Sequence, residues 1–189
     1  ESANPEYIAA DMLSQAEHDS DARAILITIS EDIAMKVEAE LYKQLRELSR
    51  KEVASASLER NGVIIVATCM DEAIEMVNRA APEHLELAVA DPMIILGSIR
   101  NAGAVFLGNY TTEALGDYVA GPNHVLPTGG TARFSSPLNT DDFIKKSSVI
   151  MYSKAGFIKD ADSTIELADA EGLDAHAKAV EARVKDIII

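Results

Sequence analysis

The chain has 189 residues, with 17 Lys+Arg against 31 Asp+Glu and a formal net charge of −14. That surplus of negative charge repels phosphate backbones and anionic lipid, which excludes nucleic acid and membrane surfaces as main partners. A hydrophobic content of 48% excludes a disordered chain, and a single cysteine excludes a disulfide framework or a thiolate zinc finger.

At about 150 residues per domain the length fits one domain with an appendage, or two small domains. Asn4-Pro5 supplies an N-cap and a first-turn proline, and Ile8, Met12 and Leu13 continue a helical stripe up to His18. Asp19-Ser20-Asp21 breaks it, and Ala24 to Ile29 reads as a buried strand. Ile33, Val37, Leu41 and Leu45 recur four apart, predicting a helix from Glu31 to about Leu48. After the Asn61-Gly62 turn come a buried strand at Val63 to Ala67 and a helix from Met70 to Ala80, closed by Pro82. Cys69 adjoins this apolar run and is expected to be a buried structural thiol. A short strand at Leu85 to Val89, a short helix at Pro92 to Ile99 and a strand at Ala104 to Leu107 follow. Apolar strands alternating with helices predict an α/β fold, an incomplete Rossmann-like layered domain with a mostly parallel sheet.

Gly108 to Leu138 differs in texture, gathering glycine and proline in one long irregular stretch of the kind that usually carries function. Beyond it lie a helix start at Asn139 to Asp142, a strand-like Ser148 to Tyr152, and two helical segments. The expected domains are 1–137, the α/β part, and 138–189, a small and mainly helical tail. Glu1-Ser2-Ala3-Asn4 has neither the basic region nor the apolar core of a signal peptide, so a cytoplasmic location is expected.

All four histidines have suggestive neighbours. Gln15 and His18 are three apart, so a helix would project both from one face, where an oxygen and an imidazole could share a metal. Taken alone, such a pair is more often a surface pair at a helix end. Glu83-His84 sits after a helix-ending proline, and an adjacent acid and imidazole can move protons near neutral pH; a solvated turn pair is the commoner case. Asp117 and His124 lie in the long loop, where function concentrates but aspartates also cap turns. Glu171 and His176 flank Gly172 at the start of the last helix, a place where an acid and an exposed histidine need no further role.

Together the local sequences are far more specific. The run from Gly116 to Ser136, containing Gly-Asp-Tyr-Val-Ala-Gly-Pro-Asn-His-Val-Leu-Pro-Thr-Gly-Gly-Thr-Ala-Arg-Phe, resembles the histidinol dehydrogenase family. The likeness extends to Ala81-Pro82-Glu83-His84-Leu85, to Asp11 through His18, and to Glu171 through Ala177, so it covers essentially the whole chain.

The resemblance implies one zinc ion per site, held by Gln15, His18, Asp117 and His176, and a proton-transfer pair on Glu83 and His84. It places L-histidinol against Gln15, His18, His84, Asp117, Glu171 and His176, with His124 nearby. The implied reaction is the NAD-linked oxidation of L-histidinol to L-histidine through the aldehyde, in histidine biosynthesis. Family chains are longer, and this one resembles their C-terminal part. The resemblance therefore implies an NAD site in an N-terminal half, consistent with the lack of a Gly-x-Gly-x-x-Gly here, and weak or no activity for the isolated chain. It also implies a homodimer whose swapped tail brings His176 to the neighbouring subunit's site. Rival readings are a non-catalytic zinc-binding fragment or interaction module, and a zinc hydrolase using Glu83 as base. The last fits the ligand types but not the long matched loop.

Overall fold

Helix α1 (Pro5–Ala16) starts where its sequence says it should: Asn4 accepts the Glu6 N–H at 2.9 Å, and Pro5 occupies the first turn. The computed structural model describes residues 2–188. Ala9, Met12, Leu13 and Ala16 form the buried stripe of α1. Strand β1 (Ile25–Thr28) leads to α2 (Glu31–Leu45), whose Ser30 cap accepts the Ile33 N–H at 3.3 Å. The predicted single helix ends early. Arg46 closes α2, and a separate helix α3 (Lys51–Asn61) follows.

Ile33, Val37 and Leu41 of α2 meet α1, Ala24 and Ala54 in one hydrocarbon cluster, flanked by Leu26, Leu45, Leu58 and Ile64. Each fully buried aliphatic side chain of this kind contributes about 1.5–3 kcal/mol. Ser57, fully buried on α3, donates its hydroxyl to the Ala22 carbonyl at 3.0 Å, so its burial leaves no polar group unmatched.

Strand β2 (Val63–Val66) pairs in parallel with β1, in the register Ile25 with Val63 through Thr28 with Val66. Helix α4 (Met70–Ala80) then leads to β3 (His84–Leu87), and α5 (Pro92–Leu96) leads to β4 (Ala104–Leu107). Strands β3 and β4 are also parallel, His84 opposite Ala104 through Leu87 opposite Leu107. The fold is thus α/β with parallel pairing, and among the described residues four strands form two separate two-stranded sheets. The long Gly/Pro stretch is not wholly irregular, since it contains α6 (Glu113–Tyr118) and a 3₁₀ turn at Thr131–Arg133.

The chain divides into two compact units, Glu1–Phe143 and Ile144–Ile189; the expected boundary at 137 lies just before this division. In the second unit, α7 (Lys154–Ala170) and α8 (Asp174–Ile188) form a helical hairpin turning at Gly172, whose φ is +72°. Buried Ala161, Ala168 and Ala177 let its helices approach closely.

Three local expectations fail. Ser148 to Tyr152 is not a strand, because the stretch has no ladder partner among the described residues, and Val149, Ile150 and Met151 are exposed. Cys69 is exposed rather than buried, because β2 ends at Val66 and Cys69 is the N-cap residue of α4. His18 is not on α1, which stops at Ala16; it lies in the following turn, its N–H on the Gln15 carbonyl at 3.4 Å. Among the described residues no helix is long and apolar enough to cross a membrane.

Candidate active site

The backbone between α4 and β3 is held tightly. Ala81 adopts the left-handed conformation (φ +49°) that ends α4, and the Pro82 and Glu83 carbonyls accept N–H groups of Gly103 and Ala104 at 2.9 and 2.8 Å. A Cβ on Gly103 would stand 2.6 Å from the Glu83 carbonyl oxygen, so only glycine allows this approach. His84 therefore begins β3 and is no longer part of the turn. Its side chain is 12% exposed, and its ring lies 6.0 Å from that of Phe106 on β4.

Period-two alternation along β3 buries Leu85 and Leu87 on one face and places His84 and Glu86 on the other. Helix α6 closes over that second face. Gly116 makes the fit, since a Cβ there would stand 2.6 Å from the Phe106 ring. One turn apart on α6, Glu113 and Asp117 flank His84: Glu113 Oε1 is 3.5 Å from His84 Nδ1, and Asp117 Oδ1 is 3.9 Å from Nε2. The same Glu113 oxygen lies 3.9 Å from His18 Nε2. Both His84 nitrogens are buried and lack a hydrogen-bond partner among the described residues.

Behind Glu113 stand two more acids. Glu86 Oε1 accepts the Glu113 backbone N–H at 2.9 Å, and Glu86 is hydrogen-bonded to Asp11 of α1. Burial, reinforced by the Asp11 hydrogen bond and charge, pushes the Glu86 carboxyl up to about 8. Burial also raises Asp11. For Glu113 burial raises the value, while the positive charge available to His84 and His18 opposes it.

The structure thus brings His18, His84 and Asp117 together through Glu113, with Glu83 close enough to act on the Glu113 charge. Gln15 is half-buried in the last turn of α1, three residues before His18. His124 is exposed in the loop after α6. Glu171 caps α7 and His176 lies in the first turn of α8, both exposed and both in the second unit.

Sequence reasoning passed over Glu113, Glu86 and Asp11. Each sits one structural period from a residue it singled out: Glu113 four before Asp117 on a helix, Asp11 four before Gln15, Glu86 two after His84 on a strand.

Chemically, a buried imidazole between two carboxylates can accept and release a proton. Donor atoms of His84, Glu113 and Asp117 all lie within 4.8 Å of one another, close enough to hold a metal ion. Mixed nitrogen and oxygen donors suit zinc, and His84 nitrogens without partners suit a site built to receive a further group.

Comparison with known proteins identifies the family. The family model described as histidinol dehydrogenase matches residues 1–184. The chain is similar to histidinol dehydrogenase of Halalkalibacterium halodurans, 56% identical over 186 residues, covering 98% of this chain and 44% of that protein. It is similar to the Heliobacterium mobile protein of the same name, at 55% identity over 98% of the chain and 43% of the relative. Its structure is similar to the crystal structure of histidinol dehydrogenase from Elizabethkingia anophelis, with a TM-score of 0.83 and 41% identity, over 100% of this chain and 43% of that one. The chain therefore spans less than half the length of the relatives it matches.

Proposed function

We propose, since the chain belongs to the histidinol dehydrogenase family, that it supplies the metal, substrate and proton-transfer part of a zinc-dependent, NAD-linked oxidation of L-histidinol to L-histidine. The α/β unit would be the incomplete Rossmann-like half of a cytoplasmic enzyme of histidine biosynthesis. The observation that carries the reading is His84, buried between Glu113 and Asp117 with neither ring nitrogen hydrogen-bonded among the described residues, at the position the family resemblance assigns to proton transfer.

Gln15, His18, Asp117 and His176 would hold zinc. When bound, zinc would orient the substrate through its imidazole and amine, and NAD would take up the two hydrides. His84 Nε2 accepts the hydroxyl proton as the alcohol becomes the aldehyde. Glu83 takes a proton from the water that adds to that aldehyde, giving the hydrate whose oxidation yields the carboxylate. Glu171 and His124 line the substrate's path. In this reading the second unit carries Glu171 and His176 to the site of a partner subunit in a homodimer.

The test is direct. The intact protein with zinc, L-histidinol and NAD should form two NADH per L-histidine, and stripping with a chelator should abolish the reaction until zinc is restored. No NADH from zinc-loaded protein that also carries an NAD-binding half overturns the reading; the 189-residue chain alone is expected to form little or none. Mixing His84→Asn and His176→Asn subunits tests the swapped tail. If the tail serves the neighbour, random pairing restores about a quarter of the sites by symmetry. If His176 serves its own subunit, the mixture stays inactive.

A further inference from the structure

Glu113 has no part in the zinc set or the proton-transfer pair proposed above, yet it is the most deeply buried acid beside His84, with its side chain 8% exposed. The helix that carries it is fixed from two directions. Glu86 holds its backbone N–H at 2.9 Å, and Gly116 on the same helix seats α6 against the Phe106 ring. One oxygen, Oε1, faces two imidazoles from distant parts of the sequence, His84 at 3.5 Å and His18 at 3.9 Å.

We propose that Glu113 is a positioning residue, its carboxylate facing Nδ1 of His84 so that Nε2 is the nitrogen offered to the substrate, with the same oxygen facing the His18 ring. The proposal rests on the assignment of proton transfer to His84. A neutral imidazole has one N–H and one lone pair. A carboxylate facing Nδ1 attracts an N–H there and repels a lone pair, so the proton stays on Nδ1 and the lone pair on Nε2. Only that tautomer can take a proton from a substrate hydroxyl lying on the Nε2 side. Asp117 stands on that side but farther off, at 3.9 Å, and zinc would engage its charge. A glutamine at 113 removes this preference, because its amide can face Nδ1 as donor or acceptor.

The experiment combines ¹⁵N NMR of the histidine side chains with steady-state kinetics, both on the intact protein. With four histidines in this chain, the His84 signal is identified by its loss in His84→Asn. At a pH where the imidazole is neutral, wild-type His84 should carry its proton on Nδ1, with and without zinc. Glu113→Gln should mix the tautomers and lower kcat about 10–100-fold, the usual effect of losing the partner that orients a functional histidine. Glu113→Asp, which keeps the charge, should recover the Nδ1–H tautomer and part of kcat. A proton on Nε2 in the wild type overturns the proposal. So does a folded Glu113→Gln protein with unchanged His84 signals and kcat. If Glu113→Gln does not fold, the wild-type spectrum and Glu113→Asp decide. Wild-type protein inactive on L-histidinol but with His84 protonated on Nδ1 would overturn the functional reading and leave the role of Glu113 standing.

Discussion

Two regions of the first unit are built on the same motif and put it to opposite uses. Around β1 and β2 the buried side chains are hydrocarbon, and the one buried polar residue there, Ser57, is matched by a carbonyl. Around β3 and β4 an equally short parallel pair carries Leu85 and Leu87 on one face, and His84 and Glu86 under Glu113 on the other. The first region gains free energy from what it buries. The second spends it, because buried and half-buried acids beside one another are held away from their ordinary ionisation. Stability and chemistry are therefore separable here, and changes in either region should show it.

The largest expected effect is on chemistry alone. His84→Asn should lower turnover by about 10²–10⁴-fold, the range for a lost general base, while zinc affinity and melting temperature change little. Equal loss of turnover and zinc binding would remove the distinction. The opposite change is Leu41→Ala on α2, buried in the hydrocarbon cluster. It should cost about 2–5 kcal/mol in denaturant unfolding and leave kcat and KM as they were. A comparable fall in kcat would show that the regions are coupled.

Gly116→Ala is the change expected to affect both. Alanine favours a helix, but its methyl would meet the buried Phe106 ring, which in turn lies against His84. Overpacking of this kind costs about 1–3 kcal/mol, and here the displaced ring should also lower kcat. A variant as stable and as active as the wild type would refute the seating of α6 on that ring.

The smallest effect concerns pH. Glu86 is pushed from an ordinary 4.5 to about 8 by burial and by Asp11. Between those values the unfolded chain loses its Glu86 proton while the folded protein keeps it. The folded state binds more protons there, so stability falls as pH rises from 4.5 and levels off above about 8. Glu86→Gln keeps an acceptor for the Glu113 N–H and removes this titration. Its melting temperature should exceed that of the wild type by a margin growing to a few degrees across the same interval. A constant margin would contradict the sign. Asp11, raised in the same way, leaves a residual slope.

Sequence patterns reached the elements whose ends are written in residues: Asn4-Pro5 before α1, Pro82 after α4, apolar strands between helices. They missed what depends on partners. Ser148 to Tyr152 has a strand's composition, yet a strand exists only where another chain segment pairs with it. In the site, Gln15, His18, His84 and Asp117 stood out by residue type and neighbours, but only the family resemblance gave them roles. Glu113 and Glu86 were not, because an isolated glutamate in an acidic chain is ordinarily a solvated one, and only burial makes these two unusual. The mixed origin of the cluster explains the rest: His18 follows α1, His84 opens β3, and Glu113 opens α6. No linear pattern joins three elements.

Exposed Cys69 has a practical use. It is the only thiol in the sequence, and it stands at the start of α4, whose far end runs through Ala81 and Pro82 into His84. Eleven helical residues at 1.5 Å each set it about 16 Å from that turn. A spin label or fluorophore attached there would need no engineered cysteine in this chain. It would sit clear of the imidazole, at the other end of the helix that leads into it, so ordering of the site on ligand binding could be followed from a reporter already in the sequence.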